Sequence, residues 1–244
     1  MSPFSGFIEN HRGLIVGGAA SFALGGGKNT WNSNVTGSAD NFIGGYLVYT
    51  GGANIDEVNV DRTTVVMNVS VSLGNSNGVG QHFSAGYIGE GGMNVLGSLK
   101  LVGGIDNDGF ALRRVNVGKA LTVLAGGGND DIEMDDTSIG GASLFDLGAG
   151  DDDLEIDTFE FDGGGKPLYK WVSFTGALTV LGGAGADTVN FSHDFQNNTN
   201  TKCVAKVTLI GGIGLDTYKN AVNNEFSTGN IEDFEGLVRT GLPV

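Results

Sequence analysis

One short element recurs along this chain: an apolar strand-like run, a glycine corner, an aspartate and a second apolar run. Aligned on the aspartate, it appears in "YLVYTGGANIDEVNV" (Asp56), "SLKLVGGIDNDGFAL" (Asp108), "ALTVLAGGGNDDIEM" (Asp130), "SLFDLGAGDDDLEI" (Asp152), "ALTVLGGAGADTVNF" (Asp187) and "KVTLIGGIGLDTYKN" (Asp216). "VSVSLGNSNGVGQHF" reads as a degenerate copy with Asn in place of Asp. Asp108, Asp130 and Asp152 lie 22 residues apart, and the next two intervals are 35 and 29 residues. The base unit is therefore one coil of 22 residues. The longer intervals carry insertions, "FDGGGKPLYKW" and "FQNNTNTK", which are polar or bear Gly and Pro, as segments that loop out of a regular scaffold do.

Inside each unit the apolar residues alternate on both sides of the corner, as with Leu178 and Val180 before it and Val189 and Phe191 after it. A period of two is a strand pattern, because successive side chains of a strand point to opposite faces. Most units close with a further short piece such as "RRVNVG", "TSIGG" or "WVSFTG", which ends at a second glycine corner at Gly97, Gly118, Gly141, Gly176 or Gly229. One such strand cannot bury its apolar side alone, but stacked coils set Leu121, Val123 and Ile132 against the same positions of the next coil. The pattern predicts an all-β chain folded as a parallel β-helix (β-solenoid) of about eight coils with insertions. It forms one domain over residues 1–244, with an N-terminal cap in 1–12 and a C-terminal cap in 230–244. Glycine supplies 44 residues and proline only 3, without the every-third-residue glycine of collagen. "HRGLIVGGAASFALGGG" imitates a secretion signal but also reads as strand, corner, strand, and the second reading matches the rest of the chain.

The closest copies of the corner, "GGAGADTV" and "GGIGLDTY", with "AGGGNDDI" and "LGAGDDDL" beside them, resemble the G-G-x-G-x-D-x-U repeat of RTX, or hemolysin-type, calcium-binding proteins. The resemblance implies Ca²⁺ as a cofactor, held by corner carbonyls and the aspartate carboxylate between successive turns. Its candidate metal ligands are Asp56, Asp108, Asp130, Asp152, Asp187 and Asp216. The family's repeats follow one another every nine residues, whereas one corner occurs per coil here, which is closer to the looser coils of large bacterial surface proteins. The implied location is extracellular or at the cell surface.

Two readings of the aspartates stay open. Stacking sets unit charges ~5 Å apart, where they repel by roughly 3 kcal/mol at an effective dielectric of 20. A hard cation with six to eight oxygen ligands relieves that, and Asp131, Asp151 and Asp153 offer further oxygens. Alternatively, each aspartate accepts hydrogen bonds from its own corner's N–H groups as an Asx-turn.

Other functions find less footing. A net charge of −15 argues against nucleic acid and anionic membranes, and no apolar run is long enough for a membrane span. "GGAGAD" lacks the Lys-Ser/Thr of a phosphate cradle. His11, His82 and His193 fall in unrelated places, and Cys203 opens the apolar run "CVAKVTLI" as a small buried hydrophobe, so no nucleophile and base converge. Arg113 and Arg114 near Asp108 are the nearest approach to a polysaccharide-lyase constellation, and a surface ion pair is the plainer expectation for them. The aromatic and basic island Lys166, Tyr169, Lys170 and Trp171 is a candidate binding surface or a flap over the coil. The sequence thus points to a structural or interaction protein that self-associates or joins a larger assembly. A carbohydrate-active or carbohydrate-binding β-helix is the alternative.

Overall fold

The computed structural model describes residues 8–11, 13–23, 26–33, 40–76, 78, 80–86, 91–156, 159–161, 167–169, 172–191, 201–220, 224–234 and 236–239. The coil around Asp130 shows how 22 residues close one turn. Leu121–Gly127 runs to the glycine corner, and Asp131–Asp135 follows the aspartate. Asp136 then turns the chain with φ 49°, and Ser138–Ile139 leads through Gly140 and Gly141 to the next coil at Ser143. The turn at Asp136 recurs at Arg62 (φ 46°) and Arg114 (φ 53°), and at Gly86 (φ 74°) in the coil between them. Aspartate tolerates this left-handed backbone better than most residues, while the two arginines hold it through their surroundings.

Repeated, the coil builds a parallel β-solenoid with three faces. The first face is a column of ten strands that includes Asn29–Ser33, Asp56–Val60, His82–Ala85, Gly109–Arg113, Asp131–Asp135 and Asp153–Ile156. The second includes Asn41–Ile43, Thr63–Val65, Met93–Val95, Val115–Val117, Ser138–Ile139 and Val172–Phe174. The third includes Leu47–Thr50, Val69–Ser72, Leu99–Val102, Leu121–Gly127, Ser143–Ala149 and Leu178–Ala184. Thr201–Ile213 bends through both of the last two faces, pairing first with Val172–Phe174 and then with Leu178–Ala184. Ten rungs on the first face exceed the eight coils that the sequence suggests. Nine spacings of about 4.8 Å make a rod roughly 43 Å long.

In-register pairing turns the alternating pattern into stacked rows. Val58, Phe83, Phe110, Ile132, Leu154, Val189 and Tyr218 occupy equivalent inward places on the first face, and all are buried. Phe145 of the third face meets Phe174 of the second edge-on, with ring centroids 6.5 Å apart, and so bridges the core between two faces. Cys203 is buried in the row of Phe174, and burial pushes its thiol up to about 12, so it is the inert hydrophobe the sequence suggests.

The ends and insertions differ from expectation in detail. Ile8–His11, inside the expected N-terminal cap, pairs in parallel with Asn29–Ser33. Gly236–Arg239, within the region expected to cap the C-terminus, and Glu225–Glu232, which ends inside that region, extend the two large sheets. Their backbones therefore continue the stack. Gly229 is no corner but lies within a strand opposite Val207. Ile15–Val16 and Ala20–Ala23 are strands, as the strand, corner, strand reading has it. Phe159–Phe161 and Pro167–Tyr169 form an antiparallel ribbon, while Val172–Phe174 already belongs to the coil. Lys166, Lys170, Trp171 and His193 lie outside the described residues.

Close rung spacing makes some corner glycines obligatory. Gly185 has φ 144°, and a Cβ there would lie 1.8 Å from the carbonyl oxygen of Gly150 on the preceding rung. Gly185→Ala is expected to abolish cooperative unfolding of the native coil or to lower its melting temperature severely. Phe145→Ala, which leaves a cavity in a core without a clash, should cost about 3–5 kcal/mol in urea unfolding.

Candidate functional site

The recurring aspartates do come together. In-register pairing puts Asp56, Asp108, Asp130, Asp152, Asp187 and Asp216 in one row at the same corner of the stack, each 0–2% exposed. The row also holds two residues the sequence reading did not assign to it. Asn29 precedes Asp56, and Gln81 stands between Asp56 and Asp108. In the degenerate copy the rung position is thus Gln81 and no Asn; the loop before it is longer, which hid the match. The pairing of His82 with Gly109, read one residue back, is the structural signal that finds it.

The carboxylates are tied to the main chain of the neighbouring rung. The N–H groups of Gln81, Asp108, Asp130, Asp152 and Asp187 donate to Oδ1 of Asp108, Asp130, Asp152, Asp187 and Asp216, at 2.6–3.0 Å. Asn29 closes the other end, donating its side-chain amide to Oδ1 of Asp56 at 2.8 Å. These N–H groups sit at the corner, where a strand ladder cannot reach them, and burial makes an unpaired donor expensive. A second ladder runs just outside the first in the opposite sense. Oδ1 of Asn107, Asn129 and Asp151 accepts the N–H of Asn129, Asp151 and Ala186 on the following rung, at 2.8–3.0 Å.

The second oxygens divide the corners into two kinds. At Asp56 and Asp108, Oδ2 accepts the N–H of Gly52 (2.7 Å) and Gly104 (2.6 Å), a bond within the same corner but from four residues back, not the forward bond of the Asx-turn that the sequence suggests. From Asp130 onward the equivalent glycines, Gly126, Gly148, Gly183 and Gly212, have φ of 102–114°. On those rungs Oδ2 of Asp130, Asp152 and Asp187 is buried without a hydrogen-bond partner. The first corner glycine makes room for the carboxylate: a Cβ on Gly103 or Gly182 would lie 2.6 or 2.7 Å from Oδ2 of its own aspartate. Ala125 and Leu147 fill that place on the rungs of Asp130 and Asp152.

Burial dominates the electrostatics. It pushes the Asp130 carboxyl up to about 7 and that of Asp152 up to about 6, against the pull of the donated N–H groups and with added repulsion from neighbouring aspartates. Asp56, Asp108 and Asp187 are raised by the same cause. Among the described residues, no three Asp, Glu, His or Cys side chains converge as a metal cage requires. Each partnerless Oδ2 of Asp130, Asp152 and Asp187 could ligate a Ca²⁺ ion, which would take most of its remaining ligands from corner carbonyls and water. Asp131 and Asp153 point outward on the first face, away from the buried ladder, and Asp151 belongs to the outer one.

The other candidates are scattered. Arg113 binds Glu133 and lies 3.0 Å from Asp135, the ion pair expected of it. His11 packs against Phe22 and Trp31 at the first coils. His82 sits outward on the first face, its ring over Gly109.

Fold and corner together define a parallel β-solenoid with a buried aspartate ladder. No protein-family model, curated protein or solved structure matches the chain.

Because Asp130 and Asp152 bind protons more tightly folded than unfolded, the folded state holds extra protons between about pH 4 and their raised values. Their contribution is fully present below the unfolded value and is lost as pH rises through about 6 to 7. In EDTA, the melting temperature should therefore fall over that window. Asp130→Asn, whose amide oxygen can still accept the Asp108 N–H, should melt higher than the parent at pH 8, the difference closing near pH 5. A melting temperature lower than the parent's at pH 8 would contradict this account of the ladder.

Proposed function

We propose that this chain is a structural and interaction β-solenoid of a bacterial surface or extracellular assembly, with Ca²⁺ as a stiffening cofactor at its aspartate corners. The observation that carries the reading is the use to which the repeat is put. Its aspartates are buried between rungs and bind one coil to the next, while the corner glycines, such as Gly185, allow the close approach of neighbouring rungs. Such a ladder serves length and rigidity. Calcium finds support in the buried Oδ2 atoms of Asp130, Asp152 and Asp187, to which a cation would supply the missing positive partner.

Partners are proteins, its own copies among them. Among the described residues, Ile8–His11 and Gly236–Arg239 end the ten-stranded sheet, each paired on one side. A strand edge of that kind is a template for pairing with another chain. The lyase alternative has weaker support, since Arg113 is engaged by Glu133 and Asp135 and the protein's charge of −15 repels an acidic sugar.

Calorimetry on the EDTA-stripped full chain, with thermal melts in parallel, tests the calcium part. Heat of binding and a melting temperature raised by several degrees are expected, both lost in Asp130→Asn/Asp152→Asn. Absence of both at millimolar Ca²⁺ would leave the ladder as hydrogen-bonding chemistry alone. Light scattering at high concentration tests the assembly part, for which a monomer with and without Ca²⁺ is the adverse result.

A further inference from the structure

The second face differs from the first in charge. Its outward row runs Phe42, Thr64, Asn94, Asn116, Ser138, Ser173, one residue per rung and in register. None of these six side chains is ionisable, in a chain with 28 acidic residues, and the first charged position in register beyond Ser173 is Lys202 on the next rung. The first face, by contrast, turns Glu57, Asp131, Glu133, Asp153 and Glu155 outward. At about 4.8 Å per rung, the five steps from Phe42 to Ser173 extend roughly 24 Å.

The row has hydrogen-bonding groups to spare. Ser173 donates to Ser138 at 3.1 Å, but Thr64, Asn94 and Asn116 make no side-chain hydrogen bond among the described residues. Each Asn amide presents both donors and an acceptor, and a hydroxyl does the same. Beside the start of this row lies a groove of about 330 Å³ whose lining includes the Arg62–Asp40 ion pair, Thr64, Gly91, Gly92 and Asn94. Phe42, one rung before Thr64, is 42% exposed and offers a flat apolar surface.

We propose that this strip binds an uncharged polysaccharide lying parallel to the solenoid axis. A sugar ring carries hydroxyls around its rim, which match free amides and hydroxyls, and an apolar C–H face, which matches the ring of Phe42. The same functional groups recur at every rung, so the fitting ligand is a polymer with its own repeat. Between Phe42 and Ser173 the row gives an ionic polymer no partner, and the overall negative charge repels a polyanion. Strands already fixed by pairing on both sides lose little freedom on binding, which favours a long, shallow contact. This strip lies apart from the aspartate ladder, so its function is independent of calcium.

Affinity electrophoresis of the full chain tests the proposal, using gels that contain hydroxyethyl cellulose, dextran, galactomannan or polygalacturonate, together with sedimentation on microcrystalline cellulose. At least one neutral polymer is expected to retard or capture the protein, and polygalacturonate is not. Asn94→Ala/Asn116→Ala should weaken that binding at least tenfold and Phe42→Ser should weaken it measurably. Glu133→Gln/Glu155→Gln on the first face should leave it unchanged. Melts of each variant identify loss of fold, and Phe42→Ser stands in if the double variant does not fold. Failure of every neutral polymer to bind, equal binding by the folded second-face variants, or stronger binding of polygalacturonate would overturn the proposal.

Discussion

The structure depends on how corner N–H groups are satisfied. Within the strands of a solenoid, main-chain donors and acceptors pair from rung to rung, but at a corner the chain changes direction and the ladder is interrupted. Here an aspartate on the next rung reaches back to accept the stranded N–H, and it does so at Asp130, Asp152, Asp187 and Asp216 in turn. Just outside, Asn107, Asn129 and Asp151 reach forward to do the same for the adjacent N–H. Two side-chain ladders of opposite sense thus carry the hydrogen bonding around the bend, and they fix the register of the coils from Gln81 to Asp216 against their neighbours.

That solution places negative charge where water is excluded. From Asp108 to Asp216 carboxylates stand on five consecutive rungs, and the carboxyls of Asp130 and Asp152 are pushed up to about 7 and 6. Toward the N-terminal end the charge is diluted: Gln81 separates Asp56 from Asp108, and Asn29 donates to Asp56. The corner conformation changes along with it. Gly52 and Gly104 give an N–H to their own aspartate, whereas Gly126, Gly148 and Gly183 do not, leaving an oxygen open to a proton or a cation. The repeat therefore has a better-satisfied half and a half whose stability is tied to solution conditions.

Much of this architecture was legible in the sequence. Alternation around Leu178, Val180, Val189 and Phe191 gave strands, and recurrence of aspartate at 22 residues gave the stack, because a coil that buries nothing alone must repeat. The glycine corners were legible as turns. What sequence spacing concealed was the membership of Asn29 and Gln81 in the ladder, since loops of unequal length shift them out of alignment and neither is an aspartate. It also concealed that Gly229 lies mid-strand and that parts of the expected end caps are strands of the stack.

The sequence by itself determined that the chain is a β-solenoid, that its aspartates fall on one corner, and that no long apolar segment interrupts it, since periodicity and repeat length are properties of the order of residues. Only the tertiary structure decided which atoms the aspartates hold. From Asp108 to Asp216 the Oδ1 partners are N–H groups 22 to 35 residues away, and whether an oxygen meets a donor, an apolar neighbour or the empty place of a glycine depends on rung-to-rung contact. For the same reason the uncharged row from Phe42 to Ser173 exists only once the coils are stacked, because its members share a surface and no local motif.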